Sequence, residues 1–298
     1  MDERTRASAT LILFPGALGD AVCLEPTIAR LSADGPVALW ARDAAKEVAT
    51  LFPSRPLVDS LDRREVAALF APRRADGADD LGDVFLESFG RVRSFTGASA
   101  PELQDRFRRH PDARAVPFPP RDADLHASHL LLRGALDGSG MLAPFPRLDV
   151  RGAERPGKGG RLLMHPGSGG RGKRAPQEVF ASVARSWRER GGDVGVVLGP
   201  AEPEEQNLWA SSGTVAVPES VQALALILTR ARVYLGYDAG PSHMAAALGV
   251  PTVVVFVGSI PESFGPRGPD VRWIDARRTE DRAAIAEAAW GAVARHLP

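Results

Sequence analysis

Gly236-Tyr237-Asp238-Ala239-Gly240-Pro241-Ser242-His243-Met244-Ala245-Ala246-Ala247-Leu248-Gly249-Val250-Pro251 decides the fold. The apolar run ahead of it reads as a buried strand, and Asp-Ala-Gly reads as the turn that ends it. Pro241 falls in the first turn of a helix and Gly249 just past its end, the usual punctuation of helix entry and exit. The alanines let that helix lie close to a sheet, and Pro251-Thr252 opens the next apolar run. A strand, helix and strand in succession form a crossover unit of a parallel sheet.

The same grammar extends both ways. Arg161–Met164, Val194–Leu198, Thr214–Val217, Val233–Gly236 and Thr252–Phe256 read as strands. Helices beginning near Pro176, Glu202, Ser220, Pro241 and Glu280 fill the gaps. Near the start, Thr10–Phe14 and Val37–Trp40 read as strands, with helices over Asp20–Leu31 and Asp43–Leu51. Most of these strands are near-continuous apolar runs, as expected where both sheet faces are covered. The segment 59–149 is less legible, with helices expected over Glu102–Arg109 and Asp124–Leu136. Residues 150–160 are Gly/Pro-rich and polar, and read as a linker. The chain has 298 residues, and domains run to roughly 100–200 residues each. The expected architecture is α/β, with an N-terminal Rossmann-like domain over 1–155 and a C-terminal one over 156–298, the last helix being a candidate to pack back on the N-terminal domain.

Composition narrows the function. Lys plus Arg and Asp plus Glu are both 37, so formal net charge is zero. A protein held on nucleic acid by phosphate contacts usually shows a basic excess. The one cysteine, Cys23, excludes an intrachain disulfide and a cysteine-based zinc cluster. No apolar N-terminal leader or membrane-spanning run is read, so a cytoplasmic protein is expected, with peripheral membrane contact left open. Of the basic residues only Lys46, Lys158 and Lys173 are lysines, which makes a lysine in a glycine-rich loop noteworthy.

Three strand-to-helix loops carry candidate chemistry. In Phe14-Pro15-Gly16-Ala17-Leu18-Gly19-Asp20, the acid stands near a helix start, as a site residue or as a helix cap. The G-x-G-x-x-G dinucleotide fingerprint is absent there, which disfavours NAD. His165-Pro166-Gly167-Ser168-Gly169-Gly170-Arg171-Gly172-Lys173 offers backbone N–H groups, a hydroxyl and an ammonium to an anion. It is not a Walker A loop, because Arg174 follows the lysine. Around Asp238–His243, N–H groups at Gly240, Ser242 and His243 would make an anion site at a helix N-terminus. Asp122-x-Asp124 reads as helix-start acid, and His126-x-x-His129 lacks a third metal ligand. Arg73, Arg74, Arg91, Arg93, Arg108 and Arg109 read mostly as solvated surface, with an anionic, phosphorylated acceptor as the other use for them.

These segments resemble the heptosyltransferase-like glycosyltransferases, family 9, of the GT-B fold. Tyr237 to Thr252 resembles the family's signature. Gly16-Ala-Leu-Gly-Asp20 with Pro26 resembles its N-terminal Gly-Asp segment. His165-Pro-Gly-Ser with Lys173 and Pro176 resembles its nucleotide-diphosphate loop, and Leu198–Glu202 its ribose segment. The resemblance implies two Rossmann-like domains with parallel sheets facing a central cleft. It implies an inverting, metal-independent transfer of a sugar, heptose favoured, from a nucleotide-diphosphate donor such as ADP-heptose. The acceptor would be a lipopolysaccharide core or another cell-surface glycan.

Asp20 would be the general base, with Gly16 and Gly19 on the acceptor side. Ser168, Gly169, Lys173, Ala239, Gly240, Pro241, Ser242 and His243 would bind the diphosphate. Glu202 would bind the ribose and Asp238 the sugar. No cofactor or metal is implied; the partners would be the nucleotide sugar and a glycolipid or glycan acceptor, with possible inner-face contact with the inner membrane and no nucleic acid. Two departures from the family pattern, Ala175 where tryptophan is usual and Glu25 near the proposed base, keep open a non-catalytic nucleotide-sugar or glycan-binding protein. A GT-B-like sugar-nucleotide epimerase is a further alternative.

Overall fold

A computed structural model of the chain describes all residues except 1–6, 74–79, 121, 123, 137, 139, 153–159, 169–175, 200–201 and 298. The chain divides into two compact units, Met1–Pro144 and Phe145–Pro298. The division falls ahead of the Gly/Pro-rich stretch. The Leu148 N–H donates to the Ala247 carbonyl (3.0 Å), which ties that approach segment to the second unit.

The first unit is a five-stranded sheet in the order β3-β2-β1-β4-β5. Its strands are β1 (Thr10–Phe14), β2 (Val37–Ala41), β3 (Leu57–Ser60), β4 (Arg91–Ser94) and β5 (Ala113–Ala115). Every pairing is parallel. Leu11, Leu13, Trp40, Phe85, Phe89, Leu103 and Phe107 fill one core of this unit. The helix Leu18–Ser32 follows β1 and buries Val22, Leu24, Ile28 and Leu31.

The second unit is a six-stranded sheet in the order β11-β10-β9-β6-β7-β8. Its strands are β6 (Arg161–His165), β7 (Asp193–Val197), β8 (Thr214–Ala216), β9 (Ala231–Tyr237), β10 (Thr252–Phe256) and β11 (Val271–Asp275). All are parallel. Met164, Phe180, Trp187, Val196, Leu235, Tyr237 and Val255 form its core. The last helix, Arg282–Val293, buries Ile285, Ala289 and Val293 in that same core.

Read from the first strand of each unit, both sheets grow outward, return to the start and continue on its other side. That is doubly-wound topology, and its reversal points fall between β1 and β4 and between β6 and β9. With two parallel Rossmann-like sheets, the α/β expectation holds. Four strands escape the sequence reading. β4 reads Arg-Val-Arg-Ser, which looks solvated, yet Arg93 is buried. Its guanidinium donates to the carbonyls of Ala135 (2.6 Å) and Val92 (2.9 Å) and pairs with Asp112 at 2.8 Å. β3, β5 and β11 are short or half-exposed edge elements whose burial patterns lack a continuous apolar run. The helix expected from Glu202 is a short 3-10 turn, Pro203–Glu205, running into Gln206–Trp209. The helix expected from Asp124 begins at Ala127.

A second arginine, Arg106, is buried in this unit and pairs with Asp80 at 2.7 Å and Asp83 at 2.5 Å. Asp80 also caps the helix Leu81–Glu87, accepting from the N–H groups of Gly82 and Asp83. The Arg106 hydrogen bond is the main reason the Asp80 carboxyl is held down to about 2, against an ordinary value of 3.8. A carboxylate with a depressed folded-state pKa stabilises the fold above its unfolded value and loses that contribution as pH falls through the folded one. Chemical denaturation is therefore expected to show wild-type stability declining between about pH 4 and pH 2. Asp80→Ala should cost about 1.5–3 kcal/mol at pH 7, the range for a hydrogen bond to a charged group, and should flatten that acid limb.

Candidate functional site

In open parallel sheets, ligands bind outside the carboxyl ends of the strands at the reversal point. In the first unit those ends are Phe14 of β1 and Ser94 of β4. The loop after β1 brings Gly16 against the Phe14 ring and the Asp20 side chain. A Cβ at Gly16 would stand 2.5 Å from the ring and 2.7 Å from the Asp20 Cβ, so this turn admits only glycine. Asp20 is half-buried in the first turn of the helix Leu18–Ser32. Its Oδ2 accepts the Ala17 N–H at 2.9 Å. Asp20 thus has a capping role and at the same time is held in a fixed orientation, with its other carboxylate oxygen unengaged by the described residues. Cys23, one turn further on, is buried. So is Glu25.

In the second unit the reversal lies between β6 and β9. His165, at the end of β6, is buried and its Nδ1 lies 2.8 Å from the Val197 carbonyl oxygen, which joins the ends of β6 and β7. Ser168 is buried at the start of the following loop. Gly169 and Lys173 lie outside the described residues. Glu202 is also buried, and its Oε2 accepts the Gly199 N–H at 3.0 Å. Its carboxylate lies against Gly167, where any Cβ would collide with both carboxylate oxygens. The glycine loop after β6 and the acid after β7 are thereby brought together, although 35 positions separate them in sequence.

Beyond β9, Asp238 and Ala239 lead into the helix Gly240–Ala247. Ala239 is extended and gives the helix no side-chain cap. The Ser242 and His243 N–H groups face the Ala239 carbonyl at 3.0 and 3.5 Å. The Gly240 N–H has no acceptor among the described residues, the ordinary condition of a first-turn donor. Pro241 occupies the first turn. His243 is buried with its Nε2 3.7 Å from Asp238 Oδ1. Ser259, in the loop after β10, donates to Asp238 Oδ2 at 2.5 Å. Sequence reading misses Ser259. The only signal for it is a hydroxyl residue just beyond the carboxyl end of a buried strand, which is too common to stand out.

The Ser242 hydroxyl turns into the sheet. It donates to the Tyr237 carbonyl at 2.5 Å and lies 3.1 Å from the Tyr234 hydroxyl. Burial pushes the Tyr234 phenol well above its ordinary value. His126 and His129 are likewise structural: His126 Nδ1 pairs with Ser128, and His129 Nδ1 accepts the Ala143 N–H at 2.8 Å. Among the described residues no group of three His, Cys, Asp or Glu side chains could hold a metal ion, and no helix is long and apolar enough to cross a membrane.

Residues 146–286 match the family model for glycosyltransferase family 9 (heptosyltransferase). Over this segment the chain is similar to the heptosyltransferase-like glycosyltransferases. The family match lies in the second unit, and the fold extends the likeness over the rest. A family 9 glycosyl transferase from Veillonella parvula DSM 2008 superposes with a TM-score of 0.73 at 15% identity, covering 100% of this chain and 98% of that one. E. coli ADP-heptose lps heptosyltransferase II gives 0.69 at 17% identity over 97% and 99% of the two chains. E. coli heptosyltransferase WaaC, in a structure with ADP, gives 0.69 at 15% identity over 97% and 100%. At these identities the superpositions establish the GT-B fold. No curated protein matches the chain in sequence.

Ser242→Ala removes the partner of a buried phenol without opening a large cavity. An unsatisfied buried polar group costs about 1–3 kcal/mol. The melting temperature should fall accordingly, and Ser242→Thr should recover part of the loss if the added methyl group fits. An unchanged melting temperature in Ser242→Ala would show that the Tyr234–Ser242–Tyr237 chain contributes nothing.

Proposed function

We propose that the chain transfers a sugar, with inversion, from a nucleotide-diphosphate donor to a glycan acceptor. ADP-heptose is the favoured donor and a lipopolysaccharide core or other cell-surface glycan the acceptor. The observation that carries this reading is that each unit has a candidate half-site at its own sheet reversal point. One offers an oriented carboxylate; the other offers a glycine loop, a buried acid and a helix N-terminus.

The chemistry needs both. Asp20 takes the proton from the acceptor hydroxyl as that oxygen attacks the anomeric carbon, and the carbon–oxygen bond to the diphosphate breaks. The Ala17 N–H holds one carboxylate oxygen and leaves the other for the proton. Positioned bases of this kind contribute about 10²–10⁴-fold. Negative charge grows on the departing diphosphate. Lys173, Ser168, Gly169 and the Ala239-Gly240-Pro241 entry to the following helix are the groups to receive it, by ammonium charge, N–H donors and helix dipole. His243, beside Asp238, adds to this end of the site when protonated.

Glu202 accepts the ribose hydroxyls. Its carboxylate already takes the Gly199 N–H, which fixes it for that purpose. Asp238, gripped by Ser259, accepts hydroxyls of the transferred sugar. Gly16 and Gly19 keep the acceptor side of Asp20 open. This set uses no metal. A cytoplasmic location, with or without contact with the inner face of the inner membrane, goes with such a donor and acceptor.

Three substitutions test the roles separately. Asp20→Ala should retain ADP binding while release of ADP from ADP-heptose in the presence of acceptor falls by about 10²–10⁴-fold; unchanged turnover would reject Asp20 as the base. Lys173→Ala should weaken ADP binding by about 1.5–3 kcal/mol in calorimetry, and equal affinity would remove Lys173 from the site. Gly167→Ala, which displaces the Glu202 carboxylate, should weaken ADP more than it weakens inorganic diphosphate, because the loss falls on the ribose.

A further inference from the structure

We propose that the cavity at the carboxyl ends of β1, β4 and β5 binds an uncharged pyranose of the acceptor. The inference rests on the transferase reading above and adds the chemical class of what is glycosylated. The cavity holds about 480 Å³ and is walled by Pro15, Phe95, Thr96, Ser99, Phe118 and Pro119 among others. That volume falls within the roughly 300–1,000 Å³ of small-molecule sites. Pro15 belongs to the same loop as Ala17, whose N–H holds the Asp20 carboxylate, so the wall and the proposed base share one short segment.

The lining suits a sugar ring. Phe118 is half-buried and packs edge to face on Phe14 at 5.2 Å, and Phe14 packs in the same way on Phe95 at 5.6 Å. The aromatic wall is therefore fixed before a ligand arrives, which lowers the entropy cost of binding. A pyranose presents an apolar C–H face and a rim of hydroxyls. Phe118 and the prolines supply apolar surface for the face. The side-chain hydroxyls of Thr96 and Ser99 have no partner among the described residues and are available to the rim.

The charge pattern selects among sugars. Among the described residues none that lines the cavity is charged. The arginines of the same unit that sequence alone offers to an anion are already engaged, Arg74 apart, which lies outside the described residues. Arg73 pairs with Asp83, and Arg91 and Arg93 with Asp112. Burial pushes the Asp112 carboxyl up, but the hydrogen bonds from Arg93 and Arg91 outweigh it and hold the group below its ordinary value. Arg108 and Arg109 lean on Asp105. A phosphorylated sugar in this cavity would shed hydration with no cation among the described lining residues to replace it. A neutral one incurs no such penalty.

Saturation-transfer NMR on the full chain tests this, with ADP present and with a panel of probes. The panel comprises the methyl glycosides of glucose, galactose, mannose, N-acetylglucosamine and L-glycero-D-manno-heptose, together with glucose 6-phosphate. At least one methyl glycoside should receive saturation at its ring C–H protons, and glucose 6-phosphate should bind at least about tenfold more weakly, a difference of 1.4 kcal/mol. Phe118→Ala should abolish the glycoside signal and keep that of ADP. Ala98→Trp, which fills the cavity from an exposed wall position, should do the same without disturbing the core. Silence from every glycoside while ADP still binds would overturn the cavity assignment and leave the donor site intact. So would glucose 6-phosphate binding as well as the glycosides, or a glycoside signal that survives both variants. Loss of ADP binding in the wild-type chain would instead count against the transferase reading itself.

Discussion

The candidate sites of this chain depend on where two parallel sheets reverse direction. A parallel strand must be reached by a crossover, and the crossover is right-handed in nearly all proteins. A sheet that grows one way from its first strand and then resumes on the other side leaves a gap at the carboxyl ends of the two strands that part company. In the first unit those strands are β1 and β4, in the second β6 and β9. Loop backbone and helix N-termini face outward at such a gap. Asp20, the His165–Ser168 segment and the Asp238–His243 segment follow three of these strand ends, and the Pro15–Phe118 cavity lies at the ends of β1 and β4 with the neighbouring β5.

Close approach then sharpens the sites. Gly167 brings its loop against the Glu202 carboxylate, and Gly16 lets the chain turn between Phe14 and Asp20. Each contact joins residues that would otherwise be held apart by a side chain. Each candidate carboxylate also takes a hydrogen bond from within its own unit. Asp20 takes the Ala17 N–H, Glu202 takes the Gly199 N–H and Asp238 takes the Ser259 hydroxyl. An acid fixed by one internal donor has lost most of its rotamer freedom before any ligand arrives, which is the condition for a positioned base or an oriented acceptor.

Sequence reading found what apolar continuity and glycine punctuation announce. β1, β2 and the central strands of the second unit are runs of buried side chains, and the helix Gly240–Ala247 begins and ends where its proline and glycine indicate. What it missed follows from neutralised charge and long-range pairing. β4 hides behind two arginines whose charge is met by Asp112 and by carbonyls of other elements, and no local window contains those partners. β3, β5 and β11 are edges, where one face is wet and the apolar signal is weak. The candidate acids Asp20, Glu202 and Asp238 stood out because each follows a strand and lies within three residues of a glycine. Ser259 was not, since its importance lies in a contact with Asp238 that only folding creates. The cavity was not legible either, because its walls come from three separate loops.

The most direct test is thermal denaturation of the full chain with ADP, UDP, GDP and CDP, each with and without EDTA. A ligand at a hundred times its dissociation constant adds about 2.7 kcal/mol to stability, which moves a melting temperature by several degrees. ADP is predicted to raise it most, by the same amount in EDTA. No rise with any of the four would contradict the donor site at the β6–β9 reversal and, with it, the transferase reading of the whole chain.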